Sequence, residues 1–172
     1  GILLHELTRL EDALEAFDKV VEINSGQAGA WYNKGLVLYK LSRTEEALEA
    51  YERTITINPA HVGAWYHKGT ALARLIRHEQ AFESFVRVIE MHPRNAHAWY
   101  NKGVISEKLE LHKEALDAWE KAIELNRDQA PAFSNKGVSL KALGRPETSL
   151  KEFEKAIELH PQYANAWYNK GC

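Results

Sequence analysis

The stretch AWYNKG at residues 30–35 decides the fold, because it returns along the chain at a constant interval. It recurs unchanged at 98–103 and 166–171, and in the related forms AWYHKG at 64–69 and AFSNKG at 132–137. Each copy begins 34 residues after the one before it. A fixed interval of this length is the signature of a repeat protein, in which each repeat packs against its neighbours.

Each interval contains two helical patterns with a short turn between them. In residues 28–61, an apolar stripe with helical spacing covers 31–41 and a second one covers 47–57. Residues 42–44, Ser-Arg-Thr, interrupt the pattern, and we expect a Ser or Thr hydroxyl to cap the second helix. Asn58-Pro59 ends that helix, since a residue before proline is disfavoured in helical conformation. No strand pattern appears, so the predicted fold is all-α, built from antiparallel helix pairs.

The interval predicts one array of repeats over residues 1–172. It consists of a partial unit at 1–27, full units at 28–61, 62–95, 96–129 and 130–163, and a partial unit at 164–172. We expect the chain to be a fragment of a longer array. In the alternative, residues 164–172 of one molecule and 1–7 of the next together form a first helix, and molecules associate end to end.

Composition excludes several classes of function. Of 172 residues, 45% are apolar and 27% charged, as in soluble folded proteins, and the net charge is −2. This balance offers no basic footprint for nucleic acid or for an anionic membrane, so we expect neither partner. The one cysteine, Cys172, cannot form an intramolecular disulfide, and no signal peptide opens the sequence. We therefore expect a cytoplasmic location.

The repeat resembles the tetratricopeptide repeat family, whose 34-residue pattern runs from Trp through Gly, Ala and an aromatic residue to Pro. Residues 28–61 supply that pattern as Trp31, Gly35, Ala47, Tyr51 and Pro59. Lysine replaces the family's leucine throughout, at Lys34, Lys68, Lys102, Lys136 and Lys170. We interpret these lysines as packing their stems beside the helix–helix seam with the ammonium groups in water.

The resemblance implies a right-handed superhelical solenoid, in which the first helices line a concave groove that binds a partner. The residues that would face this groove form a tyrosine ladder beside an asparagine ladder, with several cations. They are Tyr32, Asn33, Tyr39, Lys40, Tyr66, His67, Arg74, Tyr100, Asn101, Lys108 and Asn135. Asparagine amides can donate to and accept from a peptide backbone, and tyrosine adds contact area, so this pattern predicts a non-catalytic scaffold for an extended protein segment. The cations predict a mild preference for acidic peptides.

Other functions find less support in the sequence. The asparagine ladder is similar to that of repeats attached to protein O-glycosyltransferases, so the alternative is a substrate-recruiting arm of a larger enzyme. No glycine-rich phosphate loop follows a strand and no nucleophile stands beside a base, so we expect no catalysis and no cofactor. His61, His67 and His97 fall near the predicted groove, which leaves a metal-binding or pH-sensitive site as a minor alternative.

Overall fold

A computed structural model describes the backbone of residues 2–172 and the side chains of residues 7–172. This part of the chain contains ten α-helices and no strand, which confirms the all-α prediction. The molecule divides into two compact units, unit 1 at residues 1–91 and unit 2 at residues 92–172. The side chains of residues 1–6, which the end-to-end alternative uses, lie outside the described residues.

Unit 1 contains five helices. They are α1 (Ile2–Ile23), α2 (Ala28–Lys40), α3 (Thr44–Ile57), α4 (Val62–Arg74) and α5 (His78–Met91). α2 packs against α3, and α4 against α5, across three-residue turns, so each pair is an antiparallel hairpin. α3 ends before Asn58-Pro59, as predicted. The predicted Ser or Thr cap is wrong, because Arg43 occupies the N-cap of α3 and pairs its guanidinium with Glu46 at 2.6 Å.

Unit 2 repeats the same arrangement. Its helices are α6 (Ala96–Lys108), α7 (His112–Leu125), α8 (Ala130–Ala142), α9 (Pro146–Leu159) and α10 (Ala164–Gly171). α6 pairs with α7 and α8 with α9, while α7 also packs on α8 and α10 packs on α9. The second helices α7 and α9 are therefore each in contact with their own hairpin partner and with the first helix of the next repeat, as in a repeat protein.

The glycine of each repeated motif allows the two helices of a hairpin to approach closely. A Cβ built on Gly35 would stand 2.5 Å from a ring carbon of Tyr51, and one on Gly137 would stand 2.5 Å from a ring carbon of Phe153. A Cβ built on Gly103 would stand 2.8 Å from a ring carbon of Trp119. Real Cβ atoms do not occupy such distances, so the second-helix aromatic fills the space that the glycine leaves open.

The hairpin turns share a left-handed residue that the sequence pattern did not reveal. Four residues spaced 34 apart have φ between 58° and 72°, namely Ser42, Ile76, Glu110 and Gly144. In the turn after α4, the Arg77 amide donates to the Leu72 carbonyl at 2.9 Å, which closes a Schellman motif. Only glycine adopts this conformation without strain, and three of the four turns use another residue.

Ile76→Gly is expected to raise the free energy of unfolding by about 1 kcal/mol, because it relieves the left-handed strain of a β-branched residue. Little packing is lost, since the Ile76 side chain is 75% exposed. Urea denaturation followed by circular dichroism measures the change. Gly144→Ile is the reciprocal control and should destabilise the protein. A lowered unfolding midpoint for Ile76→Gly would contradict the expectation.

Candidate functional site

The predicted binding residues of unit 1 lie on α2 and α4, the first helices of two successive repeats. We call this set the unit 1 face; it consists of Tyr32, Asn33, Tyr39, Lys40, Tyr66, His67 and Arg74. Asn33, Lys40 and Arg74 are exposed, whereas the aromatic rings and His67 are half-buried. The face therefore presents an amide and two cations to solvent above a partly packed aromatic layer.

Tyr32 contributes an aromatic contact between the two repeats of the unit 1 face. Its ring centroid lies 4.5 Å from that of His61 and 5.9 Å from that of His67. The Tyr32 hydroxyl rests against Gly63, where a Cβ would stand only 2.9 Å from the hydroxyl oxygen. The first member of the tyrosine ladder thus has a structural role as well as a place on the face.

Tyr51 underlies the unit 1 face and was not among the predicted site residues. This α3 side chain is fully buried, and its hydroxyl has no hydrogen-bond partner among the described residues. Burial raises the pKa of the Tyr51 phenol far above its usual range, and the nearby Tyr32 and Tyr39 raise it further. The sequence did mark this position, because the equivalent residues Phe17, Phe85 and Phe153 have no hydroxyl and Tyr51 is therefore an exception.

The cations of the unit 1 face have no acidic counterpart on the same helices. Neither α2 nor α4 contains an Asp or Glu. The Arg74 guanidinium lies 5.3 Å from the Tyr39 ring centroid and donates to the Ser42 hydroxyl at 3.1 Å, so its position is set by neutral groups. The face consequently carries net positive charge at the C-terminal ends of both helices.

His67 replaces the asparagine of the other repeats and adds a titratable group. Its ring stacks on that of Tyr51, with centroids 5.8 Å apart and planes inclined by 26°. Burial lowers the pKa of the His67 imidazole below its usual value of 6.5. The folded protein therefore favours neutral His67, because the charged form would lose hydration inside the aromatic layer.

The free energy of unfolding should fall as the pH is lowered through the acidic range. The unfolded chain protonates His67 near pH 6.5, whereas the folded chain does so only at its lowered pKa. Stability is thus fully present above pH 6.5 and is lost as the pH falls from there through the lowered pKa. His67→Asn should reduce this loss, which urea denaturation across a pH series would measure. An identical pH dependence in the variant would contradict it.

The predicted binding residues of unit 2 form a second surface on α6 and α8. This unit 2 face consists of Tyr100, Asn101, Lys108 and Asn135. The Asn135 amide donates to the Tyr100 hydroxyl at 3.4 Å, and the Asn169 amide donates to the Ser134 hydroxyl at the same distance. The two ladders are therefore linked across successive repeats rather than standing side by side. Lys108 is exposed at the end of α6.

A network of hydrogen-bonded side chains beside the unit 2 face was also not predicted from the sequence. The Trp119 indole donates to the Ser139 hydroxyl at 3.1 Å, and Ser139 donates to the Glu107 carboxylate. The other Glu107 oxygen lies 3.3 Å from Nδ1 of His112. These four residues, from α6, α7 and α8, supply hydrogen-bond partners to one another. The network thereby provides partners for the Glu107 carboxylate, which is only 20% exposed.

The repeated lysines lie at the junctions between repeats. We expected their ammonium groups to lie in water, but in the structure most of them are paired with carboxylates. Lys34 pairs with Asp18 at 2.6 Å, and Lys68 pairs with Glu52 at 2.9 Å. The Lys34 ammonium also lies 5.2 Å from the centroid of the Trp31 ring. Such a pair joins a first helix to the second helix of the preceding repeat at four of these lysines, namely Lys34, Lys68, Lys136 and Lys170, and their stems are packed as predicted.

The three histidines considered as metal ligands are differently placed. Nδ1 of His61 accepts from the Ala64 amide at 3.0 Å and caps α4, and His97 is exposed on α6. Among residues 7–172, no group of three or more His, Cys, Asp or Glu side chains is arranged to hold a metal ion. Within the same part of the chain, no helix is both long enough and apolar enough to cross a membrane.

Family models match most of the array. A tetratricopeptide repeat model matches residues 28–61 and 96–129, and a second tetratricopeptide repeat model matches 135–171. A protein prenyltransferase alpha subunit repeat model matches residues 78–109. No curated protein sequence matches the chain.

Solved structures share the fold over nearly the whole chain. YrrB, described as a TPR protein with an unusual peptide-binding site, is 27% identical, with 99% of this chain and 88% of that chain covered and a TM-score of 0.90. MamA is 21% identical, with 90% and 91% covered and a TM-score of 0.86. The MamA fragment 41-end from Desulfovibrio magneticus RS-1 is 21% identical, with 90% and 87% covered and a TM-score of 0.83.

Proposed function

Because the chain belongs to the tetratricopeptide repeat family, we propose that it is a non-catalytic scaffold that binds an extended segment of a partner protein. The unit 1 face and the unit 2 face each offer first-helix side chains for such contacts. The likeness to YrrB, a repeat protein with a peptide-binding site, supports a peptide as the ligand. We therefore take the likeness as support both for the fold and for a peptide as the class of ligand.

The charge of the unit 1 face is the observation that carries this proposal. Lys34 and Lys68 are paired with Asp18 of α1 and Glu52 of α3. Lys40 and Arg74 are exposed on the face, where α2 and α4 offer no carboxylate. An acidic segment of a partner would supply the missing charge, and the half-buried tyrosines would supply contact area at small entropic cost.

Lys40→Glu is expected to weaken the binding of acidic peptides about 5-fold, the range for one exposed charge contact. Peptides selected from a random phage-displayed library would serve as probes, and fluorescence anisotropy would give the dissociation constants. The matched control is Arg53→Glu, which makes the same charge change on α3 of the same unit and should leave affinity unchanged.

Raising the salt concentration should weaken the binding of the same peptides to the wild-type protein, because mobile ions screen exposed charges. If Lys40→Glu and Arg53→Glu lost peptide affinity to the same extent, the binding site would not be the unit 1 face. Selected peptides that lack acidic residues would contradict the charge preference but not the binding of an extended segment.

The match of residues 78–109 to a prenyltransferase alpha subunit repeat favours one alternative. In that case the chain is the non-catalytic part of a larger enzyme and holds a substrate protein on the same faces. Co-purification of the chain with a catalytic subunit from its native source would distinguish this from a free-standing scaffold. A partner lacking enzymatic activity would count against the alternative.

A further inference from the structure

One repeat lacks the tryptophan that opens the motif in the others. Where the motif has Trp, the indole Nε1 donates to the backbone carbonyl six residues earlier, at 2.9 Å for Trp31 and Trp65 and at 2.8 Å for Trp99 and Trp167. Phe133 takes this place in the fourth full repeat and has no N–H to donate. The carbonyl at the equivalent position, that of Arg127, is therefore left without an indole partner from its own repeat.

A large cleft opens beside Phe133 in unit 2. Its volume is about 600 Å³, whereas the cleft in the same register beside Trp99 has a volume of about 340 Å³. Ile123, Phe133 and Leu159 form its apolar lining, and the other lining residues are charged: Glu120, Glu124, Arg127, Asp128, Lys136 and Lys155. We call it the Phe133 cleft. Its apolar lining and volume suit one large aromatic side chain.

A cation is already positioned at the wall of the Phe133 cleft. In the repeats with tryptophan, the lysine three residues later lies over the indole, at 5.2 Å for Lys34 and 5.9 Å for Lys170. Lys136 holds this position after Phe133 and lines the cleft. Its ammonium is fixed by Glu120 at 3.3 Å and Glu152 at 3.0 Å, so little side-chain freedom would be lost on contact with a ring.

We propose that the Phe133 cleft binds a tryptophan side chain of a partner protein, at a site separate from the unit 1 and unit 2 faces. The incoming indole packs on Ile123, Phe133 and Leu159, and its N–H donates to the Arg127 carbonyl. Lys136 contributes a cation–π contact from the wall. The partner thereby supplies the contacts that the other repeats make with their own tryptophan, which is why the occupant is an indole and not an aliphatic side chain.

Titration of the full chain with the capped peptide acetyl-Gly-Trp-Gly-amide tests the site. Methyl NMR signals of Ile123 and Leu159 should shift in a saturable manner. Phe133→Trp fills the cleft from within and should weaken binding at least about 10-fold while raising the unfolding midpoint. Trp99→Phe is the matched gain-of-site variant and should make the Leu125 methyl signals, in the equivalent cleft, sensitive to the same peptide.

Two modified peptides test the chemistry of recognition. Replacing the tryptophan by 1-methyltryptophan removes the N–H donor and should weaken binding about 2- to 10-fold, the range for one net hydrogen bond. The leucine peptide should bind more weakly still, because it lacks the ring. The proposal is overturned if the tryptophan peptide gives no saturable shift, if Phe133→Trp leaves the shifts unchanged, or if the leucine peptide binds equally well.

Discussion

Trp119→Ala is expected to lower the free energy of unfolding by about 3–5 kcal/mol, the range for truncation of a large core side chain. Trp119 is fully buried, and its ring lies edge-on to that of Tyr100 with centroids 5.2 Å apart. The substitution empties the space beside Gly103 and removes the indole that donates to Ser139. Urea denaturation followed by far-ultraviolet circular dichroism measures the loss.

Trp167→Ala is the matched control, because this tryptophan opens a repeat and is 52% exposed. Its truncation should cost about 2 kcal/mol, less than that of Trp119, because about half of its surface is already in water and only one indole hydrogen bond, to the Pro161 carbonyl, is lost. The comparison separates the two kinds of tryptophan in the repeat. If both variants lost equal stability, the second-helix aromatic would not be the centre of the hairpin core.

Gly35→Ala is expected to destabilise the protein by about 1–3 kcal/mol through overpacking, although alanine is the better helix former. The new Cβ would stand 2.5 Å from Cε1 of the rigid Tyr51 ring, and that ring is fully buried. Either α2 must move away from α3 or the Tyr51 ring must leave its place. The midpoint of thermal or urea unfolding would report the loss.

Gly29→Ala provides the opposite expectation on the same helix. No atom lies within 4 Å of a Cβ built there, so only the gain in helix propensity remains, about 0.5–1 kcal/mol in favour of the variant. The pair of glycines, six residues apart on α2, should therefore change stability in opposite directions. Two changes of the same sign would mean that close approach of α2 and α3 is not what selects glycine at position 35.

The fold was predictable because its signals are local and repeated. The helix periods, the interval between motifs and the proline stops each depend on a few neighbouring residues, and five copies reinforce them. The burial of Ala47 and Gly35 followed from the same pattern, since a hairpin core needs small residues where helices approach. The left-handed turns escaped prediction because Ser42 and Ile76 stand where glycine would have marked them.

The unit 1 face and the unit 2 face, the candidate binding surfaces, were predictable only in part. The periodic pattern identified candidate members such as Lys40 and Arg74, which the structure leaves exposed on first helices. It could not foresee that Tyr32 would pack into the junction with His61, or that the repeated lysines would pair with the preceding repeat. Those contacts join residues of different repeats, which the helix period within one repeat does not bring together.

The amino-acid sequence by itself determined a helical-repeat protein of the tetratricopeptide family and the register of its helices, because backbone periodicity and steric volume act within one hairpin. Only the tertiary structure decided which polar groups of each repeat are already satisfied. Asn135 is hydrogen-bonded to Tyr100, whereas the buried Tyr51 hydroxyl has no hydrogen-bond partner within residues 7–172, and the Phe133 cleft is open. A hydrogen bond or a cleft requires groups to meet in space, and the repeats differ most at the positions where successive helices meet.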